Sequence, residues 1–226
     1  MSASAVPTQG EDTFGDDRWL AMHKTFLAEG KEKEPDVVMI GDHAIAYLQL
    51  SEVWEKKFAP LHCLNFGIPN DKTQHVLWRI ENGELEAVNP KVVVLLAGSN
   101  NHSDTAEAVA EGVEACVNAI TKRQPKAQLV VIKLFPCGPA PNPLREKRAQ
   151  INSLLSRSLK NKPNVQLVDL DPGFVQQDGS INCHDLFDFE HLNKQGYSTA
   201  FSPLADLVEQ LLREASGAGG DAAAEL

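Results

Sequence analysis

Five short apolar runs, at residues 37–40, 64–66, 92–96, 129–134 and 165–168, punctuate the chain, with longer helical stretches between them. Each run is apolar at nearly every position instead of alternating, the pattern of a strand covered on both faces. Strands of this kind joined by helices fold through right-handed β-α-β crossovers into a parallel sheet with helices on each side. The expected fold is therefore α/β, three-layered, with a five-stranded parallel sheet.

The intervening segments carry helix signals. Asp71 is placed to cap a helix containing Val76, Leu77 and Ile80, and Ser103 or Asp104 to cap a stretch that Pro125 stops after Gln124. Pro143 opens another helix, and Leu204, Leu207, Val208, Leu211 and Leu212 form the apolar stripe of the last one. Residues 1–17 hold four acidic side chains, no basic one and few aliphatics, so a mobile acidic arm is expected. Residues 216–226, SGAGGDAAAEL, read as a flexible tail. One domain, 18–215, remains between them.

Charge and composition remove several functional classes. A net charge of −10 leaves no basic face for nucleic acid. No apolar run is long enough to cross a bilayer, and the polar N-terminal residues do not resemble a signal peptide. The four cysteines are dispersed without a C-x-x-C pair, which suits reduced thiols in a cytoplasmic protein better than disulfides or a zinc site. No cofactor or metal is expected.

Ligands of open parallel sheets bind beyond the carboxyl ends of the strands. Those positions here are rich in glycine and polar residues. VVMIGDHAI places Asp42 and His43 after a strand, VVVLLAGSNNH places Asn100 after another, and DLFDFEHL sets Asp188 three residues before His191. A neutral His with a carboxylate behind it is an orientated general base. An Asn amide beside backbone N–H groups can stabilise an oxyanion.

This ordered set resembles the GDSL or SGNH hydrolase family, whose fold is flavodoxin-like. Over about residues 13–215 the chain closely resembles the catalytic subunits of intracellular platelet-activating factor acetylhydrolases, through stretches such as SEVWEKKFAPLH, LNFGI, HVLWRIENGELE and CHDLFDFEHL. The family removes an acetyl group with a Ser–Asp–His triad, and the resemblance implies that Asn100, Asp188 and His191 stand at its oxyanion, acid and base positions. Two positions depart. His43 stands where the nucleophilic serine is expected, in GDH instead of GDS, and Asn70 stands at the oxyanion glycine, after Pro69, which has no N–H. Ala44 and Glu190 occupy positions that line the family's acetyl pocket. The family also implies a homodimer, and binding to a WD40 protein linked to lissencephaly that regulates dynein.

Loss of a triad serine costs on the order of a millionfold in turnover, and loss of one oxyanion donor roughly a hundred- to thousandfold. The expectation is a pseudoenzyme with vestigial Asn100, Asp188 and His191, acting as a homodimeric scaffold. The rival class is a working small-acyl esterase. Ser99 and Ser103 are close to Asn100 but lack the strand-to-helix turn and facing His of position 43. His43 as a nucleophile finds no phosphate clamp nearby, and a His43–Asp188–His191 metal site competes with an ordinary hydrogen-bonded cluster.

Overall fold

The computed structural model describes residues 1–217. The apolar runs form β1 (Val37–Gly41), β2 (Cys63–Gly67), β3 (Val92–Leu96), β4 (Gln128–Ile132) and β5 (Val165–Val168). All pairings are parallel, in the order β2-β1-β3-β4-β5. β1 and β3 are buried at every residue, which requires cover on both faces, whereas the edge strand β5 is only partly buried and admits Gln166. The helices are α1 (Arg18–Glu32), α2 (His43–Leu48), α3 (Thr73–Arg79), α4 (Ala106–Arg123), α5 (Pro143–Ser158) and α6 (Lys194–Gly217).

The chain passes from β1 to β2 on one side and then returns to β3 on the other. This reversal opens a crevice beyond the paired ends Gly41 and Leu96. Close approach there depends on glycine. A Cβ on Gly41 would lie 2.2 Å from the Leu96 carbonyl oxygen, and one on Gly67 would lie 2.2 Å from the Ala46 nitrogen.

Two cap expectations change. Thr105, not Ser103 or Asp104, caps α4, its side chain accepting from the Ala108 N–H at 3.2 Å. Asp104 is engaged elsewhere, accepting from Ser4 Oγ and Asn101 Nδ2. Asp71 does not cap α3, which follows Lys72. Its carboxylate turns inward, taking Trp19 Nε1–H at 2.7 Å and Arg79 Nε–H at 2.8 Å. Arg79, with no exposed side-chain surface, also binds Glu84 Oε2 at 2.5 Å and the carbonyls of Phe66 (2.9 Å) and Gly41 (3.1 Å). His23 completes this buried network on Glu84 Oε1 at 2.8 Å. One arginine thereby ties the ends of β1 and β2 to the loop that leads into α3.

The acidic arm begins seated rather than mobile. Ser4 and Ala5 are buried, Thr73 Oγ1–H donates to the Ser4 carbonyl at 2.8 Å, and Thr8 N–H to the Gln74 carbonyl at 3.1 Å. Gly112 of α4 makes the approach feasible, since a Cβ there would lie 2.5 Å from the Ser4 carbonyl oxygen. Small side chains and backbone polarity hold this segment, so a count of its aliphatics understates its cohesion. Of the expected tail, residues 216 and 217 belong to α6, and 218–226 lie outside the described residues. Among the described residues no helix is long and apolar enough to cross a membrane.

Candidate active site

Asp42 caps α2, its Oδ1 accepting the Ala44 N–H at 3.0 Å, and its Oδ2 takes the Ser99 hydroxyl. His43 is the first residue of that helix and its side chain is 7% exposed. Its Nδ1 lies 4.0 Å from Asp42 Oδ1, beyond hydrogen-bond reach, and has no partner among the described residues.

His191 arrives from the loop before α6. Its Nδ1 is 2.7 Å from Asp188 Oδ2, while Asp188 Oδ1 accepts the backbone N–H groups of His191 (2.7 Å) and Glu190 (3.1 Å). This turn is formed through Phe189, at φ 66°. A carboxylate against Nδ1 places the ring hydrogen there and leaves Nε2 as the nitrogen able to accept a proton. Burial works to raise the Asp188 carboxyl, but the bonds from His191 and Glu190 outweigh it and hold the group below the usual carboxylate range. The His43 and His191 rings lie 4.4 Å apart between centroids at 60°, with Tyr47 6.4 and 6.2 Å from them and Phe187 stacked on His191 at 5.9 Å. His43, Asp188 and His191 therefore do converge. Asp188 is bonded to His191, and among the described residues no group of three His, Cys, Asp or Glu side chains is placed to hold a metal ion.

Asn100 extends from the β3–α4 loop, and its Nδ2 donates to the Asp71 carbonyl at 2.9 Å. One amide hydrogen remains for another acceptor. The neighbouring Asn70 sits at φ 66°, a left-handed conformation that suits glycine and, among side chains, asparagine best. Asparagine thus keeps the loop geometry, and position 70 retains the backbone N–H that Pro69 lacks.

An ion pair fills the crevice beside His43. Arg148 of α5, 4% exposed, donates to the carbonyls of Phe135 (3.1 Å) and Ser99 (3.2 Å) and forms an ion pair with Glu190. Burial works to raise Glu190, yet Arg148 beside it holds the carboxyl below its usual range, with smaller help from His43 and His191. What remains beside Ala44, Leu134 and Leu192 is a pocket of about 20 Å³, the room of a single water. Of the two alternative serines, Ser99 has its hydroxyl committed to Asp42, and Ser103 is exposed on its loop.

The pairing of Glu190 with Arg148 was not readable from sequence, because Arg148 stands in a run of charges, REKR, on a helix that reads as solvated. Tyr47 was equally silent, lying one turn beyond the recognisable GDH.

Fold, switch-point crevice and the Asn–Asp–His set define a class, and the description that matches residues 27–199 is the GDSL-like lipase/acylhydrolase family. The chain belongs to that family. Within it, the chain is 52% identical over 211 residues to the rat (Rattus norvegicus) platelet-activating factor acetylhydrolase IB subunit alpha2, covering 93% of this chain and 92% of that protein. It is 48% identical over 217 residues to the bovine (Bos taurus) subunit alpha1, covering 96% and 94%. A crystal structure of a GDSL-like lipase from Bacteroides thetaiotaomicron shares the fold at a TM-score of 0.66 and 18% identity, covering 85% of this chain and 98% of that one.

Proposed function

We propose that this chain is a catalytically inactive homologue of the platelet-activating factor acetylhydrolase subunits, working in the cytoplasm as a homodimeric interaction or scaffold protein. The observation that carries the reading is His43. An imidazole occupies the nucleophile's position at the start of α2, 4.4 Å from the ring of the base, so no hydroxyl stands where His191 would take its proton. A base without a nucleophile has no acyl group to transfer. The Arg148–Glu190 pair supports the same reading by filling the place of a small acyl group.

The scaffold role rests on the relatives. They are named as subunits, and the likeness runs across more than nine-tenths of their length, including surfaces remote from the crevice. Retention of the dimer follows from breadth of likeness, while retention of a WD40 regulator turns on a few surface residues.

The test is hydrolysis of acetyl esters and platelet-activating factor by purified protein, with a serine-directed organophosphonate followed by mass spectrometry. Turnover at the buffer rate and no serine adduct are expected. An adduct on Ser99 or Ser103, or turnover lost in His191→Ala, overturns the reading in favour of a working esterase. Co-purification from cytosol, with light scattering for the dimer, addresses the scaffold role. A mass near 24.7 kDa would refute the dimer.

A further inference from the structure

Among the described residues, two buried side-chain atoms have no hydrogen-bond partner, His43 Nδ1 and Arg148 Nε. They come from different elements, the start of α2 and the middle of α5. Both belong to side chains more than nine-tenths buried, and both residues line the same pocket of about 20 Å³. Native proteins leave few buried polar atoms unpaired, and an ordered internal molecule commonly accounts for those that remain.

We infer that this pocket is an internal binding site for one water molecule, held between His43 Nδ1 and Arg148 Nε. Size sets the first limit, because a water needs roughly 10–15 Å³ of such space and the pocket has little more. Hydrogen-bond chemistry sets the second. Arg148 Nε–H can only donate, so the occupant must accept there, whereas His43 Nδ1 accepts or donates according to tautomer. Water meets both demands in either tautomer.

Charge sets the third limit. The carboxylates of Asp42 and Glu190 share the lining with the Arg148 guanidinium. A halide would face two carboxylates and a cation would face the guanidinium, while a neutral dipole is tolerated by all three. Asp42 already accepts from Ser99 and Ala44, and Glu190 from Arg148, whereas His43 Nδ1 and Arg148 Nε are the buried atoms that still lack a partner among the described residues. Leu96, Leu134, Phe135 and Leu192 line its apolar side. The bound water would link α5 to the turn after β1 and fix the plane in which the His43 ring meets His191. It requires only this geometry and holds whether or not the protein hydrolyses esters.

A crystal structure at about 1.5 Å, with a second crystal soaked in bromide, tests the site directly. One isolated density peak is expected about 2.7–3.2 Å from both nitrogens, with no anomalous signal from bromide. In solution, the Arg148 Nε–H should show a cross-relaxation peak to water, which His43→Phe should abolish by removing one partner. Arg148→Met should likewise remove the density peak while leaving the His43 ring in place. A bromide peak in the pocket would overturn the proposal in favour of an anion site. A dry pocket with no water cross-peak would overturn it too, as would a cross-peak of undiminished strength in His43→Phe.

Discussion

Replacing Arg79 by methionine should destabilise this protein more than most single substitutions, and the structure indicates by how much. Methionine is similar in length and apolar, so packing is nearly conserved and the lost polar partner dominates. Arg79 is wholly buried and neutralises two carboxylates, Asp71 and Glu84, that are themselves 1% and 0% exposed. It also satisfies the carbonyls of Phe66 and Gly41 at the ends of two strands. Removing one partner of a buried ion pair costs about 3–5 kcal/mol, against a total of about 5–15 kcal/mol for a domain. At roughly 2–4 °C per kcal/mol for a chain of this size, melting should fall by about 6–20 °C near pH 7. The deficit should depend on pH. Burial already pushes the Asp71 carboxyl up to about 6, even with Arg79 opposing it. A raised folded-state pKa means that stability is fully present below the unfolded value near 4 and is lost as pH rises through 6. Without Arg79 the Asp71 carboxyl takes a proton more readily still, so the variant should lose less at pH 5 than at pH 8. Denaturant unfolding at both values, with wild type alongside, measures this. A melting change below about 2 °C at pH 7, or a larger deficit at pH 5 than at pH 8, would refute the reasoning.

Three further outcomes follow from named contacts. His43→Ser alone should leave acetyl-ester turnover at the buffer rate, because Arg148 and Glu190 still fill the pocket. Better recovery should need Pro69→Gly, Asn70→Gly, Glu190→Leu and Arg148→Leu as well, the last because Glu190→Leu alone strands a buried cation, and family-like turnover from the single change would contradict the account. Asp188→Asn should cost only about 0–1 kcal/mol, since the Asp188 and His191 side chains are 44% and 28% exposed. With its folded pKa depressed, Asp188 contributes its stability above the usual value of about 3.9 and loses it as pH falls further, so an effect at pH 3 as large as at pH 7 would be inconsistent with it. Gly112→Ala should destabilise by about 1–3 kcal/mol and speed proteolysis within residues 1–17, because the new Cβ meets Thr73 Oγ1 at 2.4 Å and the Ser4 carbonyl oxygen at 2.5 Å. Helix propensity alone predicts a gain of about 1 kcal/mol, so a stabilised variant would show that the arm does not dock there.

Local pattern determined a good deal of this protein. Five nearly continuous apolar runs specify a parallel sheet covered on both faces, because a strand in a central position has no solvent face on which to place polar residues. Gly41-Asp42-His43, Asn100 and Asp188-x-x-His191 were legible for a related reason: each follows directly from a strand end or occupies a single turn, so sequence neighbours are also spatial neighbours. The arm's cohesion and the filling of the pocket are different matters. Which of the charges in REKR is buried is decided by where α5 meets the loop carrying Glu190, some forty residues later in the chain. Asp71 has the spacing of a helix cap, but Arg79 and Trp19 draw its carboxylate inward, and a buried charge must go to its partners. Ser4 and Gly112 are both unremarkable in sequence and meet only because α4 passes beneath the arm. Long-range burial and charge pairing were settled by the tertiary structure, since the desolvation that forces such pairings arises only once distant segments close around the same space.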